Sequence, residues 1–317
     1  MRALAITLLV AGPAWAQVAV QEYPVPRGHG IHDVWADAAP NGPVWFSAQG
    51  SGHLGILDPR SGKVAFVALG RGSSPHGVIA ASDGAPWLTD GGQNAIVRVD
   101  PKTRAVKAWQ LPADSGYTNL NTAIFDRDGI HWFTGQSGIY GRLDPATGEL
   151  KLFDAPKGRG PYGIHATPQG VVYYASLAGS HIARIDAASG EATVIQPPTP
   201  RQGARRVWSD SKGNIWVAEW NSGNVSRYEP ASSKWTTWRA PGENPQVYAV
   251  YVDETDKVWL SEWTAQVMLR FDPQSAKFES FRSSSATANV RQIHGRRGEV
   301  WTPESAADKL VVYRFKP

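Results

Sequence analysis

Four carboxylates share one recurring place in this chain. Asp90, Glu219, Glu262 and Glu304 each follow a tryptophan, Trp87, Trp216, Trp259 or Trp301, by three positions. The phrase "IWVAEW" around Glu219 returns as "VWLSEW" around Glu262. Carboxylates gathered in this way can hold a hard divalent cation or act in acid–base chemistry. A second recurring place carries His29, His76, Asn121, Tyr162, Arg205, Tyr248 and Arg291. Imidazole accepts a proton near neutral pH, whereas guanidinium stays charged and binds carboxylate or carbonyl oxygens. The types therefore divide by role: His29 or His76 as base, Glu262 and Glu304 as metal or electrostatic groups, and Asp90, Tyr162, Arg205, Glu219, Tyr248 and Arg291 as ligand contacts.

What could bring such scattered residues together is a repeat. One aromatic recurs at Trp45, Trp87, Trp132, Tyr173, Trp216, Trp259 and Trp301, with gaps of 42, 45, 41, 43, 43 and 42 residues. Each period reads as four short strand-like pieces, with an Asp-Pro or similar turn such as "DPRSG" or "DPATG" before the fourth. Asp first and Pro second in such a turn suit a type I hairpin. Four antiparallel strands per unit of this length describe a β-propeller blade, and seven units predict an all-β, seven-bladed propeller. The seventh repeat ends at "KLVVYRFKP" with no fourth strand. Residues Gln21 to Pro26 carry the missing pattern, so the N-terminal strand is expected to complete the last blade and close the ring. In this geometry the start of each innermost strand lies level with the end of the second, which puts both recurring places on one mouth of the channel.

Composition narrows the chemistry. The chain has no cysteine, which removes disulfides, thiolate nucleophiles and iron–sulfur clusters, and it carries no phosphate loop or haem motif. Its 32 basic and 28 acidic side chains form no extended basic run, so no nucleic-acid partner is expected. The opening "MRALAITLLVAGPAWA" has a basic residue, an apolar run and a small-x-small end, and reads as a signal peptide over residues 1–16. The remainder, 17–317, is expected to be one propeller domain, periplasmic or secreted, monomeric and without a membrane span.

The stretches "SPHGVIAASDGAPWLTDGGQNAIVRVD", "GPYGIHATPQGVVYYASLAGSHIARID" and "GNIWVAEWNSGNVSRYE" resemble the repeats of the virginiamycin B (streptogramin B) lyase family. The resemblance implies elimination at the ester-linked threonine of a cyclic depsipeptide, using magnesium, a histidine base and a second histidine near the substrate. Glu304 stands at the position of a metal-binding glutamate. The second histidine falls at Tyr248, the base at Arg291, and another metal carboxylate at Asn289. Arginine stays protonated and cannot serve as that base. His29 falls where the family's repeats read tyrosine.

Three functions are compatible with these residues: metal-assisted elimination on a small or peptidic ester or lactone, non-catalytic binding of a ligand or protein, and metal-dependent lactone hydrolysis. The carboxylates also have a structural alternative, in which Glu219 and Glu304 neutralise Arg205 and Arg291 of their own blades. Trp220 and Trp263 are either a lid for an apolar ligand or packing between blades.

Overall fold

The computed structural model describes residues 18–317; the proposed signal peptide lies outside them. Seven four-stranded antiparallel sheets make up the chain, each built from consecutive strands except the last. Blade two is representative: Pro75–Ala80, Pro86–Asp90, Ala95–Val99 and Val106–Gln110 run from the channel outward. Second strands such as Pro86–Asp90 are buried throughout, whereas outer strands such as Val106–Gln110 are largely exposed. That gradient is the consequence of stacking each sheet between two neighbours.

The ring closes as expected, with a shifted boundary. Ala19–Pro24 is the outer strand of the last sheet, pairing antiparallel with Lys309–Arg314 from Ala19↔Arg314 to Pro24↔Lys309. Gln21 to Pro26 was thus two residues late at each end. Tyr23 anchors the strand, stacking on Trp301 at 5.5 Å and donating its hydroxyl to the Pro59 carbonyl. The repeated aromatics are core, with Trp132, Trp216, Trp259 and Trp301 essentially inaccessible. Trp132, Trp216 and Trp259 donate their indole N–H to an aspartate six residues earlier, Asp126, Asp210 and Asp253, at 2.8–3.1 Å.

Six of the seven innermost strands carry a bulge near their start. Pro75 pairs with Asp90 but Val78 with Leu88, so His76 and Gly77 are displaced from the ladder; Asn121–Thr122, Tyr162–Gly163 and Tyr248–Ala249 repeat this. A bulge re-aims its side chains and sharpens the twist. Hydroxyls on the second strands stitch the bulges of adjacent blades: Ser47 accepts from the Asp33 N–H and donates to the His76 carbonyl, and Thr89 and Thr134 likewise reach the carbonyls of Asn121 and Tyr162. Gly163 permits a close approach between inner strands, since a Cβ there would meet the Arg206 Cα at 2.7 Å.

Candidate active site

In blade one the displaced residues are His32 and Asp33, because Ile31 pairs with Ala48 and Val34 with Phe46. The ring at the channel mouth therefore holds His32, not His29. His29 lies over the blade instead, its ring stacked on Phe66 at 3.7 Å and its Nδ1 2.7 Å from Ser51 Oγ. His29 stands in "HGI", which imitates the "HGV" at His76, but the pairs Val34↔Phe46 and Val78↔Leu88 give blade one a hairpin two residues longer than that of blade two, and the ring member is three residues later, at His32. The alternation of "IHDVWA" against "PHGVIA" is the signal that finds it.

The floor of the mouth is continuous. His32 and His76 have ring centroids 4.1 Å apart, His76 lies 6.4 Å edge-on to Tyr162, and Tyr162 shares a 2.7 Å hydroxyl–hydroxyl bond with Tyr248. Asn121 Nδ2 donates to His76 Nε2 at 3.2 Å. Below them Arg206 crosses the channel. Its Nη2 lies 3.0 and 3.2 Å from the two Asp33 oxygens, Nη1 donates to Thr122 Oγ1 at 2.8 Å and Nε to the Arg291 carbonyl at 3.1 Å. None of His32, Asp33, Thr122 or Arg206 stood out by residue type in the repeats.

The charge states follow from burial and these partners. Burial favours a protonated Asp33, but Arg206 and His32 more than offset it and bring the carboxyl down to about 2. His32 is lowered, first by burial, against the pull of Asp33, with Arg291 and Arg206 adding to the fall. His76 is held well below its ordinary value by burial and by His32, with Asp33 opposing. Asp33 Oδ1 lies 2.8 Å from His32 Nδ1. Accepting that Nδ1–H leaves Nε2 with a free lone pair, the arrangement a carboxylate imposes on a histidine base.

The lip above is aromatic and cationic. Arg205 lies 3.6 Å from the Tyr248 ring centroid and 4.4 Å from that of Trp220, and donates from Nη2 to the Tyr162 hydroxyl at 3.1 Å. Arg291 lies 5.0 Å over Trp263, which stacks on Tyr248 at 5.1 Å. Trp220 and Trp263 meet edge to face at 5.8 Å, so they pack together and line the mouth at once. Among the described residues neither Arg205 nor Arg291 has a carboxylate within salt-bridge distance. The same-blade neutralisation by Glu219 and Glu304 does not occur.

The four carboxylates are instead turned into their own blades. Asp90 accepts from Ser73 Oγ at 2.5 Å and from the N–H groups of Ser74, Gly92 and Gln93. Glu219 accepts from Ser222, Ser226 and Asn224; burial raises its carboxyl while those bonds oppose the rise. Glu262 accepts from the N–H groups of Gln246, Thr264 and Ala265 at 2.6–2.8 Å. All three cap hairpin turns.

Glu304 and Asn289, the residues at the family's metal positions, do not fit magnesium. Glu304 is ion-paired with Lys309 at 3.4 Å, and the Asn289 side-chain oxygen accepts from Gln266 Nε2 at 3.2 Å. Magnesium requires near-octahedral oxygen coordination and keeps several waters. The void that Glu304 shares with Glu262 has a volume of only about 10 Å3. The other grouping with metal-ligating types, His32, Asp33 and His76, is nitrogen-rich, which suits transition metals better than magnesium, and its single carboxylate is already matched by Arg206.

The fold is a seven-bladed propeller, and one mouth of its channel gathers histidines, tyrosines and arginines from six blades. Residues 12–267 match the model of the virginiamycin B lyase family, and the chain belongs to that family. No curated protein matches the chain in sequence. Among solved structures it is similar to the virginiamycin B lyase from Staphylococcus aureus at 19% identity and a TM-score of 0.85, over 94% of this chain and 100% of the other. A streptogramin B lyase structure gives 20% identity and a TM-score of 0.86, over 96% of this chain and 100% of that one. A catalytically inactive histidine-to-alanine variant of the Staphylococcus aureus lyase, solved with quinupristin, gives 20% and 0.85, with 94% and 100% covered.

Proposed function

We propose that this protein opens an ester or lactone by elimination, with His32 as the base and arginines in place of a metal. The observation that supports this reading best is the Asp33–His32 pair, a buried neutral imidazole oriented by a carboxylate, beneath a lip that carries two arginines without carboxylate partners. A ligand carbonyl placed against Arg205 and Arg291 would have its developing enolate charge stabilised by two fixed guanidinium groups. His32 Nε2 would take the proton on the carbon next to that carbonyl. The electron pair released forms the carbon–carbon double bond, and the ester oxygen leaves as a carboxylate. His76, edge-on to Tyr162 and within 4.1 Å of His32, holds the proton-accepting end of the floor in place. Trp220 and Trp263 would cover the apolar part of the substrate. No step needs a carboxylate of the Asp90, Glu219, Glu262 and Glu304 set, and magnesium is not required. We place the reaction outside the cytoplasm, on the strength of the signal-peptide pattern, in a monomer whose closed ring leaves no open repeat interface.

Because a relative is solved with quinupristin, cyclic depsipeptides lead the substrate panel. Mass spectrometry of the incubated substrate separates the outcomes: elimination leaves the mass of a ring-opened cyclic ester unchanged while creating an absorbing double bond, and hydrolysis adds one water. Turnover without added metal, abolished in His32→Gln, is expected. Unimpaired turnover in that variant would overturn the assignment, and a gain of one water would point to hydrolysis.

A second reading is ligand capture without turnover. It is favoured by Arg291, which stands where the family places its histidine base. Saturable binding that Arg205→Gln abolishes, with the ligand recovered intact, would establish it.

A further inference from the structure

We propose a second ligand site on the opposite face of the ring, in the groove between blades two and three, for a small flat aromatic anion. The groove is bounded by the turns that join first to second strands, at residues 81–85 and 126–130, and by the outer turn at Pro145 and Ala146. These turns lie at the end of the channel away from the mouth, because the innermost strands start at the mouth and finish here. The cavity has a volume of about 590 Å3, in the range of small-molecule sites.

The repeat itself provides the comparison. The turns of blades two, three and five are built alike: Ala81, Asp126 and Asp210 each accept from the glycine three residues on. In blades three and five the aspartate of that turn also takes the indole N–H of the core tryptophan. Blade two has Ala81 in its place. Trp87 is 2% exposed, and its Nε1 is buried without an acceptor at the wall of the groove. A buried donor without an acceptor is destabilising, and a ligand oxygen can relieve it. The corresponding groove between blades five and six, where Asp210 is present, has a volume of only about 130 Å3.

The lining sets the class of ligand. Trp87 stacks on Trp109 at 4.9 Å and meets Phe125 edge-on at 5.6 Å, which gives a flat aromatic wall. Three cations, Arg98, Lys107 and Arg127, face two carboxylates, Asp83 and Asp126. Asp83 is taken by Arg98 at 2.8 Å, Asp126 by Trp132, and Arg127 is paired with Asp128 at 3.9 Å. Lys107, held 4.3 Å over the Trp109 ring, has no carboxylate partner among the described residues. One unmatched positive charge, an aromatic wall and an unfilled donor together select an aromatic monoanion.

The test uses benzoate as probe, with benzamide and cyclohexanecarboxylate as controls for charge and aromaticity, titrated into the full protein by calorimetry. Benzoate is expected to bind saturably and at least about tenfold more tightly than either control, as the loss of one charged or stacking contact implies. Ala81→Asp restores the partner used in blades three, five and six. It should abolish benzoate binding while leaving the melting temperature unchanged or raised. Lys107→Gln, an exposed change, should weaken binding about tenfold with the mouth intact. Equal affinity for all three probes, or benzoate affinity unchanged in Ala81→Asp and Lys107→Gln, overturns the proposal.

Discussion

Arg206 and Asp33, 173 residues apart in the chain, form a two-oxygen ion pair across the channel at 3.0 and 3.2 Å, and both are almost fully buried. The pair ties blade five to blade one directly under the mouth. Removing one partner leaves the other charge buried and unmatched, which typically costs about 3–5 kcal/mol. Asp33→Asn is therefore expected to lower the urea midpoint strongly, whereas Asp33→Leu with Arg206→Met should recover much of the loss. The folded Asp33 carboxyl sits at about 2, below its ordinary value. Its contribution is thus present above the unfolded value near pH 4 and is lost as pH falls through about 2. An Asp33→Asn protein as stable as the wild type at pH 7 would remove the pair from this role.

Tyr162 and Tyr248 share one hydrogen bond but titrate in opposite senses. Burial pushes Tyr162 up to about 12, helped by Tyr248 and opposed by Arg205 and Arg206. Burial also raises Tyr248, but Arg205 and Arg206, with the Tyr162 bond, outweigh it and leave it below its ordinary value. The pair should release its first proton earlier than a free phenol and its second later. A spectroscopic titration of phenolate absorbance is expected to show one tyrosine ionising below the bulk, and Arg205→Gln should move it back up. A depressed phenol adds stability only above its unfolded value near 10, so no effect on unfolding at neutral pH is expected.

His131 is fully buried between Trp87 and Phe125, and neither of its nitrogens has a hydrogen-bond partner. Burial pulls its imidazole down to about 3. The unfolded chain takes up this proton first, so stability falls as pH drops from about 6.5 towards 3, by about 1.4 kcal/mol per pH unit for one such group. His131→Phe should match the wild type or exceed it at pH 7 and flatten the decline below pH 6.5. Denaturant midpoints across that range provide the measurement, and parallel curves for the two proteins would refute the argument.

Glu262 takes three backbone N–H groups of its own hairpin and faces no arginine. Glu262→Gln keeps the shape but halves the acceptors and removes the charge, which should cost roughly 1–3 kcal/mol of stability. Ligand affinity at the mouth is expected to stay within about twofold, since that difference is well under the 1.4 kcal/mol of a tenfold change. Calorimetry showing a large affinity loss at unchanged stability would return Glu262 to the site.

Most of the fold was legible because a blade is a local object: "DPATG" turns and a large aromatic every 41–45 residues state it without reference to distant partners. The site was legible only where register was regular. Tyr162, Arg205 and Tyr248 each precede their blade's aromatic by 11 residues and Arg291 precedes Trp301 by 10, which places all four on the mouth ring, while "HGI" at His29 imitates the "HGV" of blade two and draws the first member three residues early. Recurrence also misled about Glu219 and Glu262. Their variability between blades suggested chemistry, but each answers to the hydroxyls and amides of its own turn. Arg206 was hidden for a different reason. Nothing near it in sequence tells that it spans the channel to Asp33 and Thr122, since those contacts exist only once seven sheets are closed.

Closure depends on a strand that begins only at Ala19, so the fold is most vulnerable at its N-terminus. Deleting residues through Pro24 would strip six paired positions from Lys309–Arg314 and expose Leu310, Val311, Val312 and Tyr313, all buried at present. An unpaired apolar edge recruits other chains. It would also remove Tyr23 from Trp301 and Glu22 from Lys309, its ion-pair partner at 2.9 Å. A large aromatic lost from a packed site costs about 3–5 kcal/mol, so Tyr23→Ala alone should produce a clear fall in the urea midpoint with the ring still closed. The full deletion should add concentration-dependent light scattering that Tyr23→Ala lacks. A chain that begins at Gln17, after removal of residues 1–16, keeps the whole strand and should remain monodisperse. If the deleted protein is also monodisperse with an unchanged midpoint, the N-terminal strand does not close the ring in solution.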